Sequence, residues 1–358
     1  MRFDIHRWWA KTQFNDAVRL RMYRQIAKML ANGLPMLRIL EELHARVSEQ
    51  GRKPNEPFAI VLSDCRRTVQ NGRMLSEALE GWAPRGEQMI LMAGEQSGRL
   101  ESALMGVIDV VVAGKRIKSI IVGGMAYPIV VLALIGGYMY LFGTRVIPEF
   151  ARIVDPTTWK GAAHSLYTMS LLVQNWMLYF VIAAVALIAS ILTSMPYWRG
   201  NLRAMLDRYA PYSIYRLVAG SGFLTAFSAL QAAGMTVEKS LMRLSSFASP
   251  WLRERLDGAL LGVRSGLNCG EALRNAGYDF PSREVIDDLC VYADYKGFDE
   301  ALKLLAQEWM EEGVERISGQ MKLLNGISIA LLAIVIAWMV TGFFGIQHEI
   351  AAIARGAH

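Results

Sequence analysis

Cysteine and histidine are scarce in this sequence, three of one and five of the other in 358 residues. Cys65, Cys269 and Cys290 have neither metal-site nor redox-motif spacing, so they read as reduced, structural thiols. His6, His44, His164, His348 and His358 include no pair at metal-binding spacing. Gly114-Lys115-Arg116 lacks the upstream glycine and the Ser or Thr with which a phosphate-binding loop holds phosphate and Mg²⁺. A Gly-x-Ser-x-Gly nucleophile elbow is missing too. No catalytic centre, metal or cofactor is therefore expected, and mechanical work would need energy from a partner.

The first residues carry Arg2, Arg7 and Lys11 but lack the apolar run of about 7–15 residues and the small-residue cleavage site of a signal peptide. Trp8 and Trp9, beside these cations, suit either a bilayer surface or packing on the domain that follows.

Charge is missing from three long stretches. Ser119–Phe142, Leu171–Ser194 and Leu323–Phe344 hold no Asp, Glu, Lys or Arg, and each exceeds the roughly 20 residues that cross a hydrocarbon core. They account for a composition that is 53% hydrophobic, and each predicts a transmembrane helix. Of the 38 Lys and Arg residues, 19 fall in residues 1–118 and 15 in 195–322, against three in 143–170 and one after Phe344. Basic residues stay on the cytoplasmic side, most strongly beside the spans, as with Lys115, Arg116 and Lys118. The expected order is an N-terminal arm and first cytoplasmic domain (1–118), span one (119–142), a periplasmic loop (143–170) and span two (171–194). A second cytoplasmic domain (195–322), span three (323–344) and a periplasmic tail (345–358) follow. The net charge of +6 needs no nucleic acid to explain it.

The two basic segments repeat one pattern. Leu20, Tyr23, Ala27 and Leu30 recur at helical spacing, Asn32-Gly33 ends the run, and Pro35 opens another. Phe223, Phe227 and Leu230 lead likewise to Gly234, with Thr236 as an N-cap. Gly72-Arg-Met-Leu-Ser-Glu-Ala-Leu79 matches Gly266-Leu-Asn-Cys-Gly-Glu-Ala-Leu273, and Ala93 to Leu100 matches Ala293 to Glu300 more loosely, keeping Asp294 and Gly297. The offsets, 201, 194 and 199 residues, are nearly constant, so the chain reads as all-α: a duplicated helical-bundle domain plus three transmembrane helices.

Ala31-Asn-Gly-Leu-Pro35, Gly72…Leu75-Ser-Glu-Ala-Leu79, Gly94-Glu-Gln-Ser-Gly98, Tyr127-Pro128 and Val146-Ile-Pro-Glu-Phe150, with Pro148 at its centre, appear in one order. This combination resembles the inner-membrane platform proteins of type II secretion and type IV pilus machines over residues 20 to 345. The short N-terminal arm looks more like the type IVb pilus branch. The resemblance implies a non-enzymatic, multi-pass protein of the bacterial inner membrane. It also implies a cytoplasmic hexameric assembly ATPase, pilin or pseudopilin subunits and other inner-membrane assembly proteins as partners, in a homo-oligomer embedded in lipid.

Several residues keep two readings. Glu95, between glycines at the mouth of a long helix, either caps a turn through backbone N–H groups or contacts a partner or cation. Pro128 either kinks the first span or gives it a hinge. Gly326, Ala330, Ala333 and Ala337 make a small-residue stripe that fits a helix–helix contact, within the chain or between subunits, or faces lipid. Glu308, Glu311, Glu312 and Glu315 form either a solvated face or a dock for a basic partner. A small transporter or channel subunit would carry ionisable residues in its spans, and these have none; a membrane-anchored scaffold is the remaining alternative.

Overall fold

The computed structural model describes residues 5–153, 155–156, 159–293 and 297–356; among them every regular element is helical. In chain order these are α1 (Ile5–Gln13), α2 (Asp16–Ala31), α3 (Met36–Val47), α4 (Pro57–Gln70), α5 (Leu75–Ala78), α6 (Arg85–Gln96) and α7 (Leu100–Leu141). A π-helical turn (Phe142–Val146), α8 (Ile147–Ile153), α9 (Ala162–Ser194), α10 (Asn201–Leu206), α11 (Tyr212–Ala232) and α12 (Val237–Phe247) come next. The series ends with α13 (Pro250–Arg264), α14 (Cys269–Asn275), α15 (Arg283–Tyr292) and α16 (Phe298–Gly356). The chain divides into two compact units. One takes the chain up to Ile117 together with Ser194–Glu315; the other takes Lys118–Thr193 and the chain from Arg316 onward.

In the first unit α2–α7 and α11–α16 follow the same order. The hinges match atom for atom. After α2 the Gly33 N–H donates to Leu30 and the Leu34 N–H to Met29; after α11 the Gly234 N–H donates to Gln231 and the Met235 N–H to Leu230. Both glycines sit at left-handed φ, 79° and 75°, where a side chain would be strained. Pro35 then precedes α3, and Thr236 caps α12 through the N–H of Lys239 at 3.4 Å. Asp294 lies outside the described residues.

The two copies solve their cores differently. In the first, Arg19 of α2 grips Glu87 of α6 at 3.0 Å, and the Tyr23 hydroxyl donates to the same carboxylate at 2.7 Å. Burial pushes the Glu87 carboxyl up, against the opposing pull of Arg19 and the Tyr23 hydrogen bond. By the offsets above, the counterparts of Arg19, Tyr23 and Glu87 are Gly220, Leu224 and Ile286. There the Trp309 ring fills the space over Gly220, and Leu224 and Ile286 are buried. The second copy instead stacks Phe223 on Phe227 and sets Trp251 edge-on to Phe280, with ring centroids at 5.5 and 5.6 Å. Its polar core is a pair of guanidiniums on one carboxylate. Arg203 and Arg255 both bind Asp207, to which the Trp251 indole also donates. Their remaining faces lie over Tyr212 and Trp251, at 4.1 and 4.0 Å from the ring centroids. Burial brings both guanidiniums down to about 10. The two copies pack against each other through α6 and α11, and Arg85 donates to the Ala248 carbonyl across the join at 3.2 Å.

The second unit is built from the apolar stretches. Three helices are long and apolar enough to cross a membrane, and the most apolar window of α9 is wholly unburied, with Leu178, Phe180 and Ile188 pointing outward. Outward apolar side chains along so long a helix suit lipid rather than water. The helices outrun the uncharged stretches. The connector expected as loop over 143–170 is helical to Ile153 and again from Ala162, and the expected tail continues α16 to Gly356. Near that connector Ile147, Trp159, Leu166, Met339 and Ile346 form a small core, and Gly342 lets Leu166 approach the backbone of α16.

Pro148 explains the π-helical turn. Proline offers no N–H, and the Ile147 N–H goes to Phe142, so the Gly143 carbonyl loses its helical partner. The Ser170 hydroxyl and the Gln174 amide, both on α9, donate to that carbonyl at 2.5 and 2.8 Å. Gln174 is thus a polar residue inside an apolar stretch with a structural task, because hydrocarbon leaves no water to satisfy a freed carbonyl. Pro128 lies inside α7, which continues through it, and Tyr127 is exposed. Gly124, one turn before Pro128, receives Met321 of α16 against its backbone.

Truncating Glu87 to Ala leaves the Arg19 charge buried without its main partner and should cost about 3–5 kcal/mol. The double variant Arg19→Met, Glu87→Leu, which imitates the apolar solution of the second copy, should recover most of that loss. Denaturant midpoints of the detergent-solubilised chain, followed by near-UV circular dichroism, measure both.

Candidate interaction sites

Glu95 sits in the last turn of α6, not at the start of the long helix where its flanking glycines suggested. Its two carboxylate oxygens accept the backbone N–H groups of Leu75 and Ser76 at 2.5 and 3.0 Å. Those donors open α5, whose own N-cap position, Met74, has no side chain able to serve. The neighbouring glycines complete the device. A Cβ at Gly94 would collide with Ala103 of α7, and Gly98 turns the chain at φ 67°. The second copy places Asn268 at the position of Met74. Asn268 caps α14 itself through the Glu271 N–H at 2.9 Å, and the Glu271 carboxylate returns to the Asn268 N–H at 3.1 Å. The first turn of α14 is thus capped from within its own helix, whereas that of α5 takes its cap from α6. Gly72, Gly266 and Gly297 also take left-handed φ, at 77°, 92° and 90°.

Both oxygens of Glu95 are thus engaged, and among the described residues no three His, Cys, Asp or Glu side chains gather as metal ligands. Glu308, Glu311, Glu312 and Glu315 are all exposed on α16. Glu311 lines the rim of a groove of about 850 Å³ in the first unit, between the early turns of α7, α11 and α16. Arg99, Asp109, Thr225, Lys303 and Met310 also line it, so both copies contribute.

The stripe of Gly326, Ala330, Ala333 and Ala337 is exposed along its length, and a Cβ at Gly326 would meet nothing within 4 Å. The reading of an intrachain contact is therefore corrected: α16 buries a different side, through Met339, Gly342 and Ile346. Sequence reasoning missed the Arg19–Glu87 and Arg203–Asp207–Arg255 clusters, since buried charges look like surface charges in a pattern. The one available signal was Arg203 and Asp207, four residues apart among Leu202, Met205 and Tyr209.

The repeat decides the family. The family model for "Type II secretion system (T2SS), protein F" matches residues 22–148 and again 223–345. The chain belongs to this family. Both matches start in the first helix of a copy and end beyond a membrane-crossing stretch, so the duplicated unit includes the span. The toxin coregulated pilus biosynthesis protein E of Vibrio cholerae serotype O1 is 22% identical over 343 residues, covering 93% of this chain and 97% of that protein. The type IV pilus assembly protein PilC of Thermus thermophilus is 23% identical over 333 residues, 90% of this chain and 79% of PilC. The type II secretion system protein F of Xanthomonas campestris pv. campestris is 26% identical over 178 residues, 48% of this chain and 42% of its own. Relatives of this family are thus named for pilus biosynthesis, pilus assembly and type II secretion.

Glu95→Ala should lower stability by about 1–2 kcal/mol, the scale of a lost N-cap. Adding Met74→Asn should restore most of it by giving α5 the cap that α14 owns. Calcium or magnesium should leave the melting temperature of the unaltered chain unchanged. Thermal melts of the four samples check all three outcomes.

Proposed function

We propose that this chain is a non-enzymatic platform of a pilus-assembly machine in the bacterial inner membrane, passing motion from a cytoplasmic hexameric ATPase to pilin subunits entering the fibre. The observation that carries the reading is similarity along nearly the whole chain to a pilus biosynthesis protein, with the duplicated domain and its spans intact. The basic residues beside the spans support an N-terminus and both helical domains in the cytoplasm, with the 143–170 connector and the C-terminus in the periplasm. Two features supply the mechanics. The last helix of each copy is continuous from its domain into an apolar stretch, α7 over 42 residues and α16 over 59, so a displaced domain moves its span directly. The groove between the copies and the exposed acidic face of α16 give the ATPase a surface on which both copies meet. Other inner-membrane assembly proteins and further copies of the chain complete the platform.

Deleting the gene in its host should abolish surface pili, and expression in trans should restore them. Normal fibres in the deletion strain would refute the assignment. Alkaline phosphatase fused after residue 155 should be active, while fusions after residues 60 and 260 should be silent. An inactive fusion at 155 would overturn the orientation.

A further inference from the structure

The short helix that leads into the second copy is inside out. Arg203 on α10 and Asp207, the residue capping its C-terminus, lie four positions apart and are fully buried against Trp251, Tyr212 and Arg255. The opposite face carries Leu202, Met205 and, just beyond the helix, Tyr209, exposed at 70%, 64% and 65%; Tyr197 ahead of it is 68% exposed. A helix at a water boundary turns its charges out and its apolar residues in. This one does the reverse, and the buried cluster fixes it there: turning the apolar face inward would drag Arg203 and Asp207 out of the carboxylate, guanidinium and ring contacts that hold them.

The neighbourhood names the medium that the apolar face meets. Ser194 is the last residue of the membrane-crossing α9, and only six residues separate it from Asn201. That end of the chain is fastened where α10 is fastened. The Ser194 hydroxyl bonds the Tyr212 hydroxyl at 3.0 Å, and the other side of Tyr212 carries the Arg203 guanidinium. The Pro196 carbonyl accepts the Trp251 N–H at 3.1 Å. The composition of the outward face also fits an interface: two tyrosines and two aliphatic side chains, flanked by Arg199 and by Arg208, which is exposed and pairs with Asp279 at 3.1 Å.

We infer that α10 lies in the bilayer surface, its Leu202, Met205, Tyr209 and Tyr197 side chains among the upper acyl chains and Arg199 and Arg208 at the phosphates. The buried Arg203–Asp207–Arg255 cluster is then the anchor that keeps this apolar face turned outward just after the second span.

The test uses the full chain in liposomes of phosphatidylcholine with phosphatidylglycerol. Leu202→Cys, Met205→Cys and Tyr209→Cys each carry a nitroxide in a Cys290→Ser background; Cys65 and Cys269 are buried and stay unlabelled. Leu261→Cys, at a residue 68% exposed on α13, is the aqueous reference. All four positions are exposed, so the labels do not disturb the core. Power saturation compares access of oxygen, which concentrates in lipid, with that of a water-soluble nickel chelate. The oxygen-to-nickel ratio at 202, 205 and 209 should exceed that at 261 by roughly fivefold, as for side chains inserted into the headgroup–acyl boundary. Ratios equal to that at 261 would place the face in water and overturn the inference. Exclusion of both reagents would overturn it in favour of a protein contact, such as a second copy of the chain.

Discussion

A polypeptide crossing hydrocarbon cannot leave a backbone group unpaired, and the architecture follows from that constraint. The last helix of each copy enters the apolar region without a break, since any interruption would expose carbonyls with no water to take them. The π-helical turn that follows α7 shows how a freed carbonyl is answered. Pro148 denies the Gly143 carbonyl its helical partner, and α9 answers with two side-chain donors on that single oxygen. Ser170 and Gln174 therefore fix the register of α9 against the end of the first span. A glycine at 143 lets Val173 come close enough for both donors to reach.

Outside the apolar stretches the same duplicated framework tolerates opposite solutions. Where the first copy buries a carboxylate between an arginine and a tyrosine, the second has a glycine under a tryptophan ring and a buried leucine and isoleucine. A buried ion pair and an apolar cluster of similar volume can contribute comparable stability, so one helix order accommodates both. The caps diverge by the same logic. The first turn of α5 borrows a carboxylate from α6, and the first turn of α14 carries its own asparagine. In both, the orphan N–H groups at a helix start are the fixed requirement, and the residue that meets them is free to change.

Uncharged length, basic flanks and repeating glycines were readable because each has a local cause. A span needs length, and a helix that reverses at φ near 75° needs glycine, whichever copy it stands in. The family motifs were readable too, but their meaning was not. Glu95 pointed by position to the helix after it, while its acceptor role faces a turn twenty residues earlier in the chain, a pairing no local pattern encodes. The buried arginines were invisible for the same reason: burial of Arg203 depends on Trp251, Tyr212 and Arg255 arriving from elsewhere. Spacing alone does not say which side of a helix a neighbour within the chain occupies: the small-residue stripe is exposed, and α16 meets α9 at Gly342 instead.

The helices that precede the two copies carry a further consequence. Neither α1 nor α10 belongs to the repeat, and each shows apolar surface outward: Trp8 and Trp9 on one, Leu202 and Met205 on the other, all at least 45% exposed. A duplicated domain packed on its twin has its shared faces already occupied, so what distinguishes the copies is what each adds at its entrance. The second copy is entered from the membrane, and its added helix is pinned by a fully buried charge cluster that an isolated soluble domain would gain little from. Desolvating two guanidiniums and a carboxylate is costly in any fold. The cluster becomes intelligible when it holds an apolar face toward lipid, because the favourable transfer of that face then offsets part of the cost of the charges that orient it.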